Sequence, residues 1–297
     1  MQQPNWNNFP QQLQNLYVPK HNFSLVALHS AGHQLREAGY YYPGEHHDFW
    51  EMCYVQRGTI TITEDDRVYK LYPNDAIFHK PWEFHTLKVE DGSEALFSII
   101  SFRYHGSEID PLGKGVIKLS ANYTETVNNI IRESHEAFDF FKDTDIIEKK
   151  KENYSSIYER LVILQTECFL LSLLNDMNLK DRQDNTVAAM HYKKVVNVLK
   201  EHIYEKLTVE QIATLCHVSR SNLKKIFKTY TGYGVIQYFN KMKIIKSIDM
   251  LKSGMTVSEI SDKLDFSSPS YFSNAFKRET GFFPTAYKNG FIKIIND

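Results

Sequence analysis

At 297 residues with 42% hydrophobic content, the chain is long enough to fill two cores. Its 35 Lys and Arg against 36 Asp and Glu leave a net charge of −1, which excludes a general nucleic-acid coat protein. The charge is unevenly placed, with 17 basic and 9 acidic residues over 187–297, or +8 there and −9 over the remainder.

The start, Met1-Gln2-Gln3-Pro4-Asn5-Trp6, has neither a basic stretch nor an apolar run, so no signal peptide is expected. No apolar run approaches membrane-spanning length, and no membrane partner is expected. Cys53, Cys168 and Cys216 are odd in number, far apart and set in apolar surroundings. They are expected to be buried reduced thiols of a cytoplasmic protein.

Residues 21 to about 105 alternate like strands. Thr59-Ile60-Thr61-Ile62-Thr63 alternates strictly, Glu64-Asp65-Asp66 turns, and Val68-Tyr69-Lys70-Leu71 returns as a hairpin. Tyr72-Pro73-Asn74-Asp75 turns again before Ala76-Ile77-Phe78, and residues 95–102 form a further strand. Short strands with polar turns indicate a sandwich or barrel. From about Ser120 to residue 178 the period is helical. Ile157, Leu161, Leu164, Cys168 and Leu171 recur at four-three-four-three spacing. That is the seam of a coiled coil, hence of a homodimer, and a core helix gives nearly the same pattern. The polar stretch containing Lys180-Asp181-Arg182-Gln183-Asp184 is read as a linker over 179–188, between a domain at 1–178 and another at 189–297.

The second domain holds one helix-pair motif twice, at about 207–230 and 255–279. The first copy runs from Thr208 through Ile212 and Leu223-Lys224-Lys225-Ile226-Phe227-Lys228 to Thr231-Gly232. The second runs from Thr256 through Ile260 and Phe272-Ser273-Asn274-Ala275-Phe276-Lys277 to Thr280-Gly281. Thr208 caps its helix with Gln211 at capping-box spacing. Ile212 and Leu215 are expected to form the buried stripe of the first helix. His217 and Asp265 fall where the turn needs a positive φ, which Asp and His tolerate. Ser219, and Ser267 or Ser268, are placed to cap the second helices. Leu223, Ile226 and Phe227 face inward, as do Phe272, Ala275 and Phe276. Arg220, Ser221, Lys224, Lys225 and Lys228 are left outside in the first copy, and Pro269, Ser270, Ser273, Asn274 and Lys277 in the second. Two such units predict a protein that grips duplex DNA in two places.

Residues 187–290 resemble the DNA-binding domain of AraC/XylS-type bacterial transcription regulators. The resemblance rests on Phe266, Ser268, Tyr271-Phe272-Ser273, Phe276-Lys277, Gly281, Pro284 and Tyr287 in order and spacing. Asp265 stands where that family has glycine, and Lys288 where it has arginine. The resemblance implies two helix-turn-helix units bridged by a long helix at about Val235 to Leu251, with recognition helices in successive major grooves. It implies double-stranded DNA and RNA polymerase as partners. The amino-terminal half resembles the cupin-type regulatory domain of the same family through His46-His47-Asp48-Phe49-Trp50-Glu51, Gly58, Pro73-Asn74-Asp75 and Pro81 to His85.

A metal-binding cupin would place a histidine where Glu45 stands, and neighbouring His and Glu are more often hydrogen-bonded groups, so no metal and no cofactor is expected. The resemblance points instead to a small-molecule pocket, with His47, Trp50, Glu51, Tyr54, Trp82 and His85 as candidate lining. Aromatic rings with polar tips suit a sugar-like effector, and the same rings equally suit a core. The expected fold is α+β: a cupin-like β-barrel with appended helices, then an all-α domain with two helix-turn-helix units. The expected function is sequence-specific, effector-responsive transcription regulation. An enzyme is the competing class, and it lacks a complete metal quartet, a defensible Ser-His-Asp order or an activated cysteine. A third class is a regulator controlled by a protein partner.

Overall fold

In a computed structural model, residues 24–285 are described apart from 143, 154, 177–178 and 181–185. Tyr287, Lys288, the opening hexapeptide and most of the polar linker stretch lie outside the described residues.

The strands β1 (Ser24–Arg36), β2 (Tyr41–Glu45), β3 (Trp50–Arg57), β4 (Ile60–Glu64), β5 (Arg67–Leu71), β6 (Asp75–His79), β7 (His85–Val89), β8 (Ala95–His105) and β9 (Val116–Lys118) build the first half. The expected hairpin is present in register, from Ile60 opposite Leu71 to Glu64 opposite Arg67. Its tight turn uses Asp65 at φ 46°, a geometry Asp accepts through its short polar side chain.

After β9 come α1 (Ala121–Ala137), β10 (Phe138–Phe140), β11 (Ile147–Lys150), α2 (Ser156–Asp176) and β12 (Leu179–Lys180). The first sheet has six strands in the order β1-β8-β3-β6-β9-β12, and the second has four in the order β2-β7-β4-β5. They face one another as two sheets, not as one closed barrel. Cys53, Val55, Ile62, Leu71, Ile77, Leu87 and Phe97 fill the space between them.

Because side chains alternate along β3, its odd-numbered residues face that space and its even ones face away. Trp50, Met52 and Tyr54 therefore join a separate core with Ile130 and Ile131 of α1 and Phe169 and Leu170 of α2. The second apolar stripe of α2 is not part of this core. Ile157, Leu161, Leu164 and Cys168 are exposed, and Leu171 is half-buried. Cys168 thus departs from the expected burial, while Cys53 and Cys216 are buried. The seam pattern marks the outer stripe of α2, and the inner stripe is Val162, Thr166, Phe169, Leu170 and Leu173.

The second half comprises α3 (Val187–Glu201), α4 (Val209–Cys216), α5 (Arg220–Thr231), α6 (Val235–Lys252), α7 (Val257–Lys263) and α8 (Pro269–Thr280). Thr208 and Thr256 each close a capping box, with Gln211 and Glu259. Ser219 and Ser268 cap α5 and α8, and both second helices end on a left-handed glycine, Gly232 or Gly281. Ile212, Ala213 and Cys216 are buried on α4, whereas Leu215 is exposed, contrary to its expected place in the stripe.

Candidate functional site

Two surfaces carry the chemistry. The first is the outer face of the paired helix-turn-helix units. His217 and Asp265 turn the chain at φ 54° and 53°, so each pair is bent by the same device. In α5 the buried row is Leu223, Ile226 and Phe227, leaving Arg220, Ser221, Lys224, Lys225 and Lys228 exposed. In α8 Phe272, Ala275 and Phe276 are buried. Pro269, Ser270, Asn274 and Lys277 are exposed, and Ser273 is half-buried. Arg220 is engaged in an ion pair with Glu210 at 2.7 Å.

A residue that sequence reasoning missed fixes the two units to each other. Lys243, in the bridging helix α6, is buried, and its Nζ donates to Glu205 O at 2.7 Å and Leu264 O at 2.6 Å. One carbonyl precedes the first unit and the other ends α7. Only a lysine at an otherwise apolar helix position signalled it.

The second surface is a cavity of about 400 Å³ between the sheets. Glu45, His47, Glu51, His79 and His85 line it with Tyr40, Tyr42, Phe49 and Phe97. Of the six residues expected there, the structure brings together His47, Glu51 and His85. Trp50 and Tyr54 lie on the opposite face of β3, where Tyr54 Oη meets Thr124 Oγ1 at 2.7 Å. They cannot share a face with Glu51 because strand neighbours point opposite ways. Trp82 is also outside: it packs against the core shared by α6, α7 and α8.

The cavity's polar end is made where the sheets approach. Glu45 of β2 pairs with His85 of β7, and Glu51 enters from β3 across the gap. His47 Nδ1 lies 2.9 Å from Phe49 O, and His85 Nδ1 lies 3.0 Å from Glu83 O. A carbonyl oxygen only accepts, so each Nδ1 carries hydrogen and each Nε2 points inward. The two Nε2 atoms stand 3.7 Å and 3.5 Å from the Glu51 carboxylate. Ser101 Oγ donates to Glu51 Oε2 at 3.0 Å.

Burial works against the Glu51 charge, but His47 and His85 overcome it and hold its carboxyl well below the usual range. Burial likewise disfavours a charged His85, yet Glu51 outweighs it and lifts His85 to about 9. His79 is held well below its ordinary value by burial and then by His85, whose ring stacks on it at 4.0 Å.

The cavity wall is also the contact with the second half. Tyr233 Oη donates to Gly44 O at 2.9 Å, next to Glu45. Thr86 Oγ1, next to His85, donates to Tyr230 O at 3.4 Å. His46 lies in a cleft with Trp82, Glu279 and Phe282. Phe84 and Val68 are buried among Tyr192, Val195, Phe227 and Tyr238 of α3, α5 and α6.

Comparison with known proteins matches residues 28–138 to the AraC-like ligand binding domain and residues 212–290 to a helix-turn-helix domain. The chain belongs to the AraC family of transcription regulators. It is a DNA-binding regulator with an amino-terminal ligand-binding domain. Among AraC-family relatives it is similar to the HTH-type transcriptional activator RhaS of Enterobacter sp., 22% identical with 84% of this chain and 88% of RhaS covered. It is similar to the uncharacterized HTH-type transcriptional regulator YdeC of Bacillus subtilis, 22% identical over 84% and 86% of the two chains. Among solved structures, ToxT from Vibrio cholerae aligns over 87% of this chain and 98% of its own, at 17% identity and a TM-score of 0.36. Among the described residues no helix is long and apolar enough to cross a membrane.

Proposed function

We propose that this AraC-family regulator is effector-responsive: a molecule in the cavity between the sheets biases the DNA-binding half. One observation carries the reading. The segments that supply the polar cavity groups, 44–47 and 84–86, are the same ones that meet Tyr230, Tyr233 and α6. A ligand that shifts Glu45 or His85 shifts a residue covalently next to that contact, which supports direct coupling without a long relay.

In this reading residues 1–178 form the regulatory domain, 179–188 the linker and 189–297 the DNA-binding domain. Lys224, Lys225, Ser270 and Asn274 read bases, and Lys228 and Lys277 meet phosphates. The exposed α2 stripe joins two copies into a homodimer, and RNA polymerase is the downstream partner in the cytoplasm. The chain catalyses nothing; the cavity groups bind and signal.

The test is a thermal-shift screen of sugars, organic acids and divalent metals on the full chain, repeated with Glu51→Gln. A compound that stabilises the chain and loses its effect in the variant supports sensing. No response, with a protein partner recovered by crosslinking at the Tyr233 face, would transfer control to that partner.

A further inference from the structure

We propose that Glu45, His47, Glu51 and His85 form a binding site for a divalent transition-metal ion, which deepens the reading of this cavity as the effector site and rests on it. One ligand atom from each of the four lies within 4.8 Å of the others, the span of a single coordination sphere. They come from four separate places, β2, the turn after it, β3 of one sheet and β7 of the other, so the convergence is made by the tertiary fold.

The histidines decide the matter. A ligating imidazole presents one nitrogen to the ion while the other donates to a backbone or carboxylate oxygen, which fixes tautomer and ring orientation. Both rings are set that way here, through Phe49 O and Glu83 O. Each Nε2 is buried without a hydrogen-bond partner. Two buried nitrogens and a carboxylate facing one another at 3.5–3.7 Å are too far apart for good hydrogen bonds. They are also too close to admit a water molecule on the line between them. A cation at their centre satisfies all three, since metal–nitrogen and metal–oxygen bonds are about 2.0–2.2 Å long. Ser101, donating to the Glu51 Oε2 that also faces His47, completes the outer support.

The neighbouring buried group Glu64, His79 and Glu83 serves as an internal contrast. There Arg67 binds both carboxylates at 2.8 Å and His79 Nδ1 is taken by Glu64, so each of the three groups already has a partner within the protein. Among the described residues no Lys or Arg pairs with Glu45 or Glu51, and the two carboxylates face two imidazoles. Two nitrogen and two carboxylate ligands suit zinc, iron, cobalt or manganese; imidazole disfavours magnesium and calcium. The open side of the cavity leaves a coordination position for a small oxygen-bearing molecule. Against the sequence expectation, Glu45 in place of a histidine changes the ligand set and does not remove it.

The experiment uses the full chain, stripped with chelator and titrated calorimetrically with Zn²⁺, Mn²⁺ and Mg²⁺, with Co²⁺ as an absorbing probe. Saturable uptake of a single Zn²⁺ or Mn²⁺ ion per chain is expected, with Mg²⁺ inert and Co²⁺ giving ligand-field bands. Glu45→Gln and His85→Gln should each weaken uptake by about ten-fold or more. Circular dichroism checks that both stay folded, and Glu45, half-buried, is the safer of the two. No saturable uptake, or uptake unchanged in both variants, overturns the site. If uptake fails while a sugar or organic acid still stabilises the chain through Glu51, the metal site falls and the effector reading stands.

Discussion

Tyr233 Oη and Gly44 O are joined by a 2.9 Å hydrogen bond that links the helix-turn-helix half to the edge of the cavity. The phenol stands just beyond Gly232, the glycine that ends α5, and the carbonyl belongs to the residue before Glu45. Gly44 has no room for a side chain: a Cβ there would lie 2.1 Å from Phe84 Cζ. Phe84 in turn packs edge-on against Tyr238 of α6, 5.1 Å between ring centroids, so the bare Gly44 backbone leaves room for the ring that meets the second half.

Lys243 should be worth more to stability than its position on the bridging helix suggests. Lys243→Met keeps the apolar stem and removes both charge-assisted hydrogen bonds to Glu205 O and Leu264 O. A loss of about 2–4 kcal/mol is expected in urea unfolding of the full chain. An unchanged midpoint would show that the ammonium does not hold the two units together.

Asp65 gives a pH dependence with a definite sign. Burial raises its carboxyl to about 6, with Lys200 opposing. The folded state therefore binds the proton more tightly than the unfolded one. Stability from this group falls as pH rises from about 4 to about 6 and stays low above. Asp65→Asn keeps an acceptor for Phe84 N and the positive φ. It should stabilise the protein at pH 7 by about 1–2 kcal/mol, because part of the side chain retains water. At pH 4 the gain should vanish. A gain independent of pH would assign the effect to something other than charge burial.

On DNA, the two kinds of contact separate by their salt response. With an operator selected from a random duplex pool, Lys228→Ala should lower the salt slope by about one and weaken all sequences alike. Asn274→Ala should cost about 1–3 kcal/mol and relax the preference at one base position. Footprints should show two protected patches about 34 Å apart on one face. A single patch would mean that only one unit reads DNA.

Leu164 tests assembly. It is 39% exposed on a stripe with Leu161 and Ile157, so a charge there is tolerated by the fold. Leu164→Glu should turn a sedimenting dimer into a monomer with an unchanged melting temperature. A monomeric wild-type chain, or a variant that unfolds, would contradict the stripe's role as a contact between copies.

Much of this architecture was legible in the residues. Caps, left-handed turn positions and the inward rows of α5 and α8 are local, so Thr208, His217, Leu223 and Phe272 announce them directly. Leu215 misled because α4 is short and turns its buried face towards Ala213 and Cys216. The cavity was half legible. His47, Glu51 and His85 converge as the cupin order implied, while Trp50 and Tyr54 obey strand alternation and face α1 and α2. Trp82 was out of reach, since its place depends on how the two halves dock, a relationship that no spacing encodes. The stripe of α2 was ambiguous for the same reason: Val162 and Phe169 form a second apolar row, and only packing tells which row is inside.

In the proposed mechanism the cavity and the DNA-reading helices share one energetic linkage through residues 44–47 and 84–86. The direct measurement is the affinity of the cavity's ligand, the metal ion or a compound from the screen, for the chain free and bound to its selected operator. Linkage requires the two sites to change each other by the same factor. Ligand affinities should differ between the free and DNA-bound states by about five-fold or more, matched by the same factor in operator affinity, with both differences reduced in Tyr233→Phe. Equal ligand affinities in the two states would contradict the linkage.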